Sequence, residues 1–251
     1  TDGARVQVVY AHYASDNKNM DSPTTVAGHN YSSTRDFIKR STARMNREVI
    51  ESAQRQNGFL QLRFATDSNC EVSIQDLTLT GPKKSELGSF TNDLINNPQS
   101  RLFDLNKKYL VFADYESSNL SGITCGLGGA TFNNAAQHNA NKENPDPAVN
   151  SFNNTSSGIA VFPRTSRNAL RGVTAECWGP SIASGNNKPS DVQLHELMHS
   201  FGAVLASAPH HSAAGHCTDL QDNMCYKDAP SVTLTFNNCT AARASFLLDC
   251  K

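Results

Sequence analysis

No apolar run in this 251-residue chain approaches the roughly 20 residues that a membrane-spanning helix needs, so a membrane is not an expected partner. Nor is there an excess of either charge. The 22 Lys+Arg face 23 Asp+Glu, giving a formal net charge of −1 and a sequence pI near 6.7. Without a basic excess to displace counterions from phosphates, nucleic acid is excluded as an obligate partner. Internal repeats, collagen-like spacing and long heptad runs are missing, which excludes solenoids, triple helices and coiled coils. No Cys-x-x-Cys pair occurs, so a zinc ribbon is excluded as well.

Charged residues make up 18% of the chain and hydrophobic ones 38%; Asn, Ser, Thr and Gln fill the difference, as is common in secreted proteins. Seven cysteines are many for a cytosolic enzyme of this size. Five N-x-S/T sequons begin at Asn30, Asn119, Asn153, Asn154 and Asn238 and mark candidate glycosylation sites. The first residue is Thr1, read here as the start of a processed, mature product. Together these features place the protein outside the cell, secreted and disulfide-bonded. Spacing favours Cys217–Cys225 and Cys239–Cys250 as short loops, with Cys125–Cys177 pairing across the middle and Cys70 left over.

Hydrophobic periodicity predicts a strand at 5–10 and a long helix from about Thr34 to Gln56. Ser33 caps that helix with Asp36 three residues on, and Ile38, Thr42, Met45, Val49 and Ala53 form its core face. Further strands are expected at Leu60–Ala65, Val72–Leu79, Lys108–Asp114 and, as the last one, Gly158–Phe162. A short helix is expected at Ser89–Asn97 and another at Cys239–Leu248. Residues 126–157 read as one long irregular loop, and 180–190 as a linker.

The chemistry concentrates in Asp191-Val-Gln-Leu-His195-Glu196-Leu-Met-His199-Ser-Phe-Gly202. Ser190 as N-cap, Gln193 as its capping-box partner and Gly202 as C′ residue predict a helix between them. On a helix, His195 and His199 stand one turn apart on one face and can converge on one ion. Glu196 lies about 100° round the helix, placed to act as a base and not as a ligand. This is the H-E-x-x-H pattern of zinc hydrolases, in which two imidazoles bind Zn²⁺ and the carboxylate takes a proton from water. With eight His and eight Glu in the chain, chance alone would produce it in roughly one such sequence in a hundred. Two surface histidines on an amphipathic helix are the ordinary alternative, and the caps at both ends argue against it.

A catalytic zinc wants three protein ligands. No Glu follows Glu196, which excludes a third ligand of that type, and the residue six places after His199 is Leu205. His210, His211, His216 and Asp219 remain. His216 is preferred because Gly215 precedes it and Cys217, paired with Cys225, would anchor it; His210 is second.

Eight residues beyond His216, Met224-Cys225-Tyr226 follows Asp222-Asn223. Here the sequence resembles the metzincin zinc peptidases, whose HExxHxxG motif is followed by a third ligand and a turn with a Met beneath the metal. The resemblance runs from Cys177-Trp178 through Gly202-Ala203-Val204, Ala208-Pro209-His210 and Gly215-His216-Cys217 to Tyr226, about a fifth of the chain. Sixteen residues separate His199 from His216, where that clan usually has five. The resemblance implies a metzincin-like α/β (α+β) fold: a twisted mixed sheet with a long helix and an active-site helix. It would be one catalytic domain over 1–251, with an N-terminal subdomain (1–202) and an irregular C-terminal one (203–251). It implies a monomeric, secreted zinc endopeptidase acting on protein or peptide substrates, with a removed pro-segment. Its Zn²⁺ would be held by His195, His199 and His216, Glu196 would be the general base, Met224 a structural residue and Tyr226 an oxyanion donor. A zinc hydrolase of a non-peptide amide and a non-catalytic zinc-containing binding module are the alternatives. Asp and Asn are plentiful, but no EF-hand spacing assigns a structural calcium.

Overall fold

The computed structural model describes residues 5–96, 107–120, 122–130, 158–179, 182–183, 189–204, 210–212, 216–218, 222–225, 231–234 and 248. Its centre is a mixed sheet. Strand β1 (Val6–Tyr13) lies between β4 (Ile74–Leu79) and β5 (Lys108–Asn119), and β7 (Gly158–Asn168) follows, all four parallel. Two antiparallel strands complete it: β6 (Leu127–Ala130) along the first half of β7, and β8 (Val173–Glu176) along its second half. A hairpin of β2 (Thr24–Val26) and β3 (His29–Tyr31) stands apart, as does a short pair, β9 (Ile182–Ala183) with β10 (Pro189–Ser190).

Alternation along the strands divides the core in two. Val8 and Tyr10 of β1, Leu110 and Phe112 of β5, and Ala160 and Phe162 of β7 face one side. There they meet helix α1 (Thr34–Arg55) and helix α3 (Val192–Ser200) through Phe37, Ile38, Met45, Leu194, Leu197 and Met198. Val9, Ala11, Val111, Ala113 and Val161 face the other side, against Leu87, Phe90 and Leu94 of helix α2 (Leu87–Asn96). A parallel sheet covered on both faces needs strands that are apolar throughout, which is why Tyr109–Ala113 is an unbroken buried run.

Ser33 caps α1 as expected, its side chain accepting from the Asp36 N–H at 3.0 Å. Ile38, Thr42, Met45 and Val49 are buried and Ala53 is half-buried. Several other expectations are corrected. Residues 60–65 form no strand: β4 occupies that edge of β1 from Val8 onward, leaving only a bridge between Val6 and Phe64. Residues 127–130 leave the expected loop to become β6, while 131–157 lie outside the described residues. The strand at 158 continues to Asn168 and is followed by β8, so it is not the last. The 180–190 linker contains the β9–β10 pair. The helix expected at 239–248 lies outside the described residues except for Leu248, whose N–H donates to Ser52 Oγ at 3.0 Å.

Candidate metal centre

Helix α3 starts one residue later than its sequence suggests. Its N-cap is Asp191 and not Ser190: the Asp191 carboxylate accepts from the Leu194 N–H at 3.1 Å. Gln193 closes no capping box, because its amide donates to the Cys177 and Trp178 carbonyls at 3.2 and 2.8 Å. The reason is tertiary. Arg44 of α1 reaches both residues, bonding Asp191 at 2.9 Å and the Gln193 oxygen at 2.6 Å. The C-terminus behaves as expected: Gly202 has φ +84°, its N–H donates to the His199 carbonyl, and the Ala203 N–H donates to that of Met198, both at 3.0 Å.

One ring nitrogen from each of His195, His199 and His216 lies within 4.8 Å of the other two. The Nε2 atoms of His195 and His199 are 3.0 Å apart. His195 Nδ1 donates to the Asn223 carbonyl at 2.8 Å, which leaves its Nε2 lone pair turned to the cluster. Burial and the neighbouring His216 push His199 down to about 4, so its ring is neutral at physiological pH, the state a metal ligand needs. Three imidazoles at this spacing fit a divalent transition metal, since Zn–N bonds of about 2.0–2.1 Å put tetrahedral ligand atoms about 3.4 Å apart.

His216 comes to the cluster on a folded-back segment. Its carbonyl accepts from the Ser212 N–H at 2.6 Å, the Thr218 N–H donates to the His210 carbonyl at 3.0 Å, and Cys217 bridges both His211 and Cys225. A Cys217–Cys225 disulfide closes the segment, and Cys125–Cys177 is the other one described, both as spacing suggested. Cys70 is free and exposed. His210 is exposed, His211 half-buried, and neither joins the cluster. Cys217, Asp222 and Cys225 also lie close together, but their two sulfurs are already bonded to each other. Met224 is buried in the core that holds Leu194 and Leu197. Asp219, Tyr226, Cys239 and Cys250 lie outside the described residues.

Glu196 sits beneath β6. The Gly128 N–H donates to its carboxylate, and burial pushes the group up to about 8. A Cβ on Gly126 would overlap the Glu196 side chain, and one on Gly128 would overlap its backbone carbonyl. The glycines that left no strand pattern in the sequence are therefore what lets β6 lie on α3. Asn223 also had no sequence motif to mark it. Its side chain accepts from the Asp191 N–H at 3.0 Å and donates to the Asp191 carbonyl at 3.3 Å, locking the start of α3 to the turn that orients His195. Only its place beside Met224 hinted at this.

No known family, curated protein or solved structure matches the chain.

Proposed function

We propose that the protein is a secreted zinc-dependent endopeptidase of metzincin type. One observation carries the reading: three imidazoles converge, and the helix that supplies two of them also carries the buried Glu196 carboxylate. When bound there, zinc supplies Lewis-acid polarisation of a carbonyl and activation of water at neutral pH. His195, His199 and His216 hold it, with His195 oriented by the Asn223 carbonyl. With the cation bound, which would favour the ionised carboxylate, Glu196 would take the proton of the attacking water and pass it to the leaving amine. Met224, buried with Leu194 and Leu197, is assigned the structural role beneath the metal, and Tyr226 is assigned to the developing oxyanion.

The reading as a peptidase rests on the resemblance around Met224 and on β6. Among the described residues β6 is an edge strand, lying directly on the helix that carries Glu196. An extended peptide could add to such an edge, with its scissile bond over the histidines. Two disulfides support an extracellular site of action.

The test is unfolded casein incubated with the purified protein, with and without a zinc chelator. Chelator-sensitive cleavage that zinc restores is expected. Cleavage of a small N-acyl amide but not of casein would favour the non-peptide hydrolase, and no hydrolysis by a zinc-loaded protein would favour the binding module.

A further inference from the structure

Arg44 lies in the middle of α1, outside the histidine cluster, yet its guanidinium ends on the start of the helix that carries His195 and His199. Its Nε donates to Asp191 Oδ2 at 2.9 Å; its Nη2 stands 2.8 Å from the same carboxylate oxygen and donates to Gln193 Oε1 at 2.6 Å. Asp191 and Gln193 have no exposed surface, so the guanidinium, and not solvent, satisfies these oxygens. Asp191 is in turn one corner of a closed ring of hydrogen bonds. Its N–H donates to Asn223 Oδ1 at 3.0 Å, and its carbonyl accepts from Asn223 Nδ2 at 3.3 Å and from the His195 N–H at 2.8 Å. The Asn223 carbonyl closes the ring by accepting from His195 Nδ1 at 2.8 Å. A displacement of Asp191 is therefore passed to the His195 imidazole through Asn223.

We propose that Arg44 is a positioning residue for the metal: by fixing Asp191 and Gln193 it sets the direction in which Asn223 holds the His195 imidazole. The inference rests on reading the three histidines as a metal centre, and not on hydrolysis. Arginine suits the task because a planar guanidinium carries its donors in a fixed fork, here spanning two residues at the start of α3. A Lys ammonium is a point charge on a flexible stem and fixes no such span. Gln193 extends the constraint, since its amide donates to the Cys177 and Trp178 carbonyls. A group that directs a ligand in this way governs metal affinity and geometry, whereas a purely structural ion pair governs only the stability of the fold.

The full chain, freed of metal, is titrated with Zn²⁺ against a chromophoric chelator, and its Co²⁺ form is followed by visible absorption. Wild type is compared with Arg44→Met, Arg44→Lys, Asn223→Ala and the Arg44→Met/Asn223→Ala double variant, each checked for folding by circular dichroism. Arg44→Met should bind zinc about tenfold more weakly and give a weaker, shifted Co²⁺ band. Arg44→Lys should recover affinity in part, to about three- to fivefold below wild type. Asn223→Ala keeps the backbone carbonyl but loses the clamp on Asp191, so in its background Arg44→Met should cost less than about threefold more. Unchanged zinc affinity and Co²⁺ spectrum in folded Arg44→Met would overturn the proposal. If that variant does not fold, the same result in Arg44→Lys would overturn it. Full additivity with Asn223→Ala would do so too, since Arg44 would then act on stability alone. A wild type that binds neither ion would overturn the metal centre itself, and this proposal with it.

Discussion

His195 and His199 stand on a helix whose Leu194 and Leu197 are wholly buried against the sheet, whereas His216 stands on a segment held by different forces. The segment around His216 is tied by backbone bonds from Ser212, Cys217 and Thr218 and by the Cys217–Cys225 disulfide, and its ring stacks on that of His195. Met224 and Cys225, on the other side of that disulfide loop, are buried. One half of the cluster is rigid because it belongs to the core, the other because it is stapled. The helical half should therefore resist any change short of unfolding, while the stapled half should fail locally.

The largest expected effect is at Glu196, which lies on the rigid half but is not a ligand. Glu196→Gln should lower casein turnover by about 10²–10⁴-fold while zinc content, measured on the same sample, stays unchanged. Loss of zinc in a folded variant would make Glu196 part of the binding set instead.

Next in size is the contrast between His216 and His210. His216→Ala should empty the site on dialysis, since two ligands remain, whereas His210→Ala should leave it filled. The reverse result would move the third ligand to an exposed position the structure keeps out of the cluster.

The staple itself comes third. Replacing Cys217 and Cys225 together by Ser should lower zinc affinity about 10–100-fold, the usual cost of losing a partner that orients a ligand. The unfolding midpoint of the sheet should move little. A fall in the global midpoint as large as that in zinc affinity would show that the two halves are not separable.

Gly128→Ala tests the contact that covers α3. Its Cβ has no room over Glu196, so β6 must move or strain, at about 1–3 kcal/mol in denaturant unfolding. A neutral result would mean that β6 rides loosely on the helix.

The last effect is a slope, small per pH unit. Lys108 has a pKa of about 7 in the fold against an ordinary 10.5, so between those values the unfolded chain binds the extra proton. Stability should rise with pH across that window, by at most about 1.4 kcal/mol per unit, and be flat below it. Comparing the wild type with Lys108→Met from pH 6 to 10 isolates the slope, and parallel curves would refute it.

Features legible in the sequence depend on neighbours within a turn or a short loop. The α1 cap at Ser33, the buried run of β5, the pairing of His195 with His199 and the loop from Cys217 to Cys225 are all of this kind. Each follows from a spacing, because helical and strand periods fix which side chains share a face. The capping of α3 shows where this reach ends. Ser190 and Asp191 are both good caps, and the choice falls to Asp191 because Arg44, 147 residues away, and Asn223, 32 residues away, both bond it. Glycine carries no side-chain pattern, so β6 becomes a strand only when β7 offers it an edge and α3 a surface to lie on. The sequence by itself determined the helix, its two histidines and the carboxylate between them. Which of the later histidines joins them was a tertiary decision, because a loop residue has no period and only its long-range bonds place it.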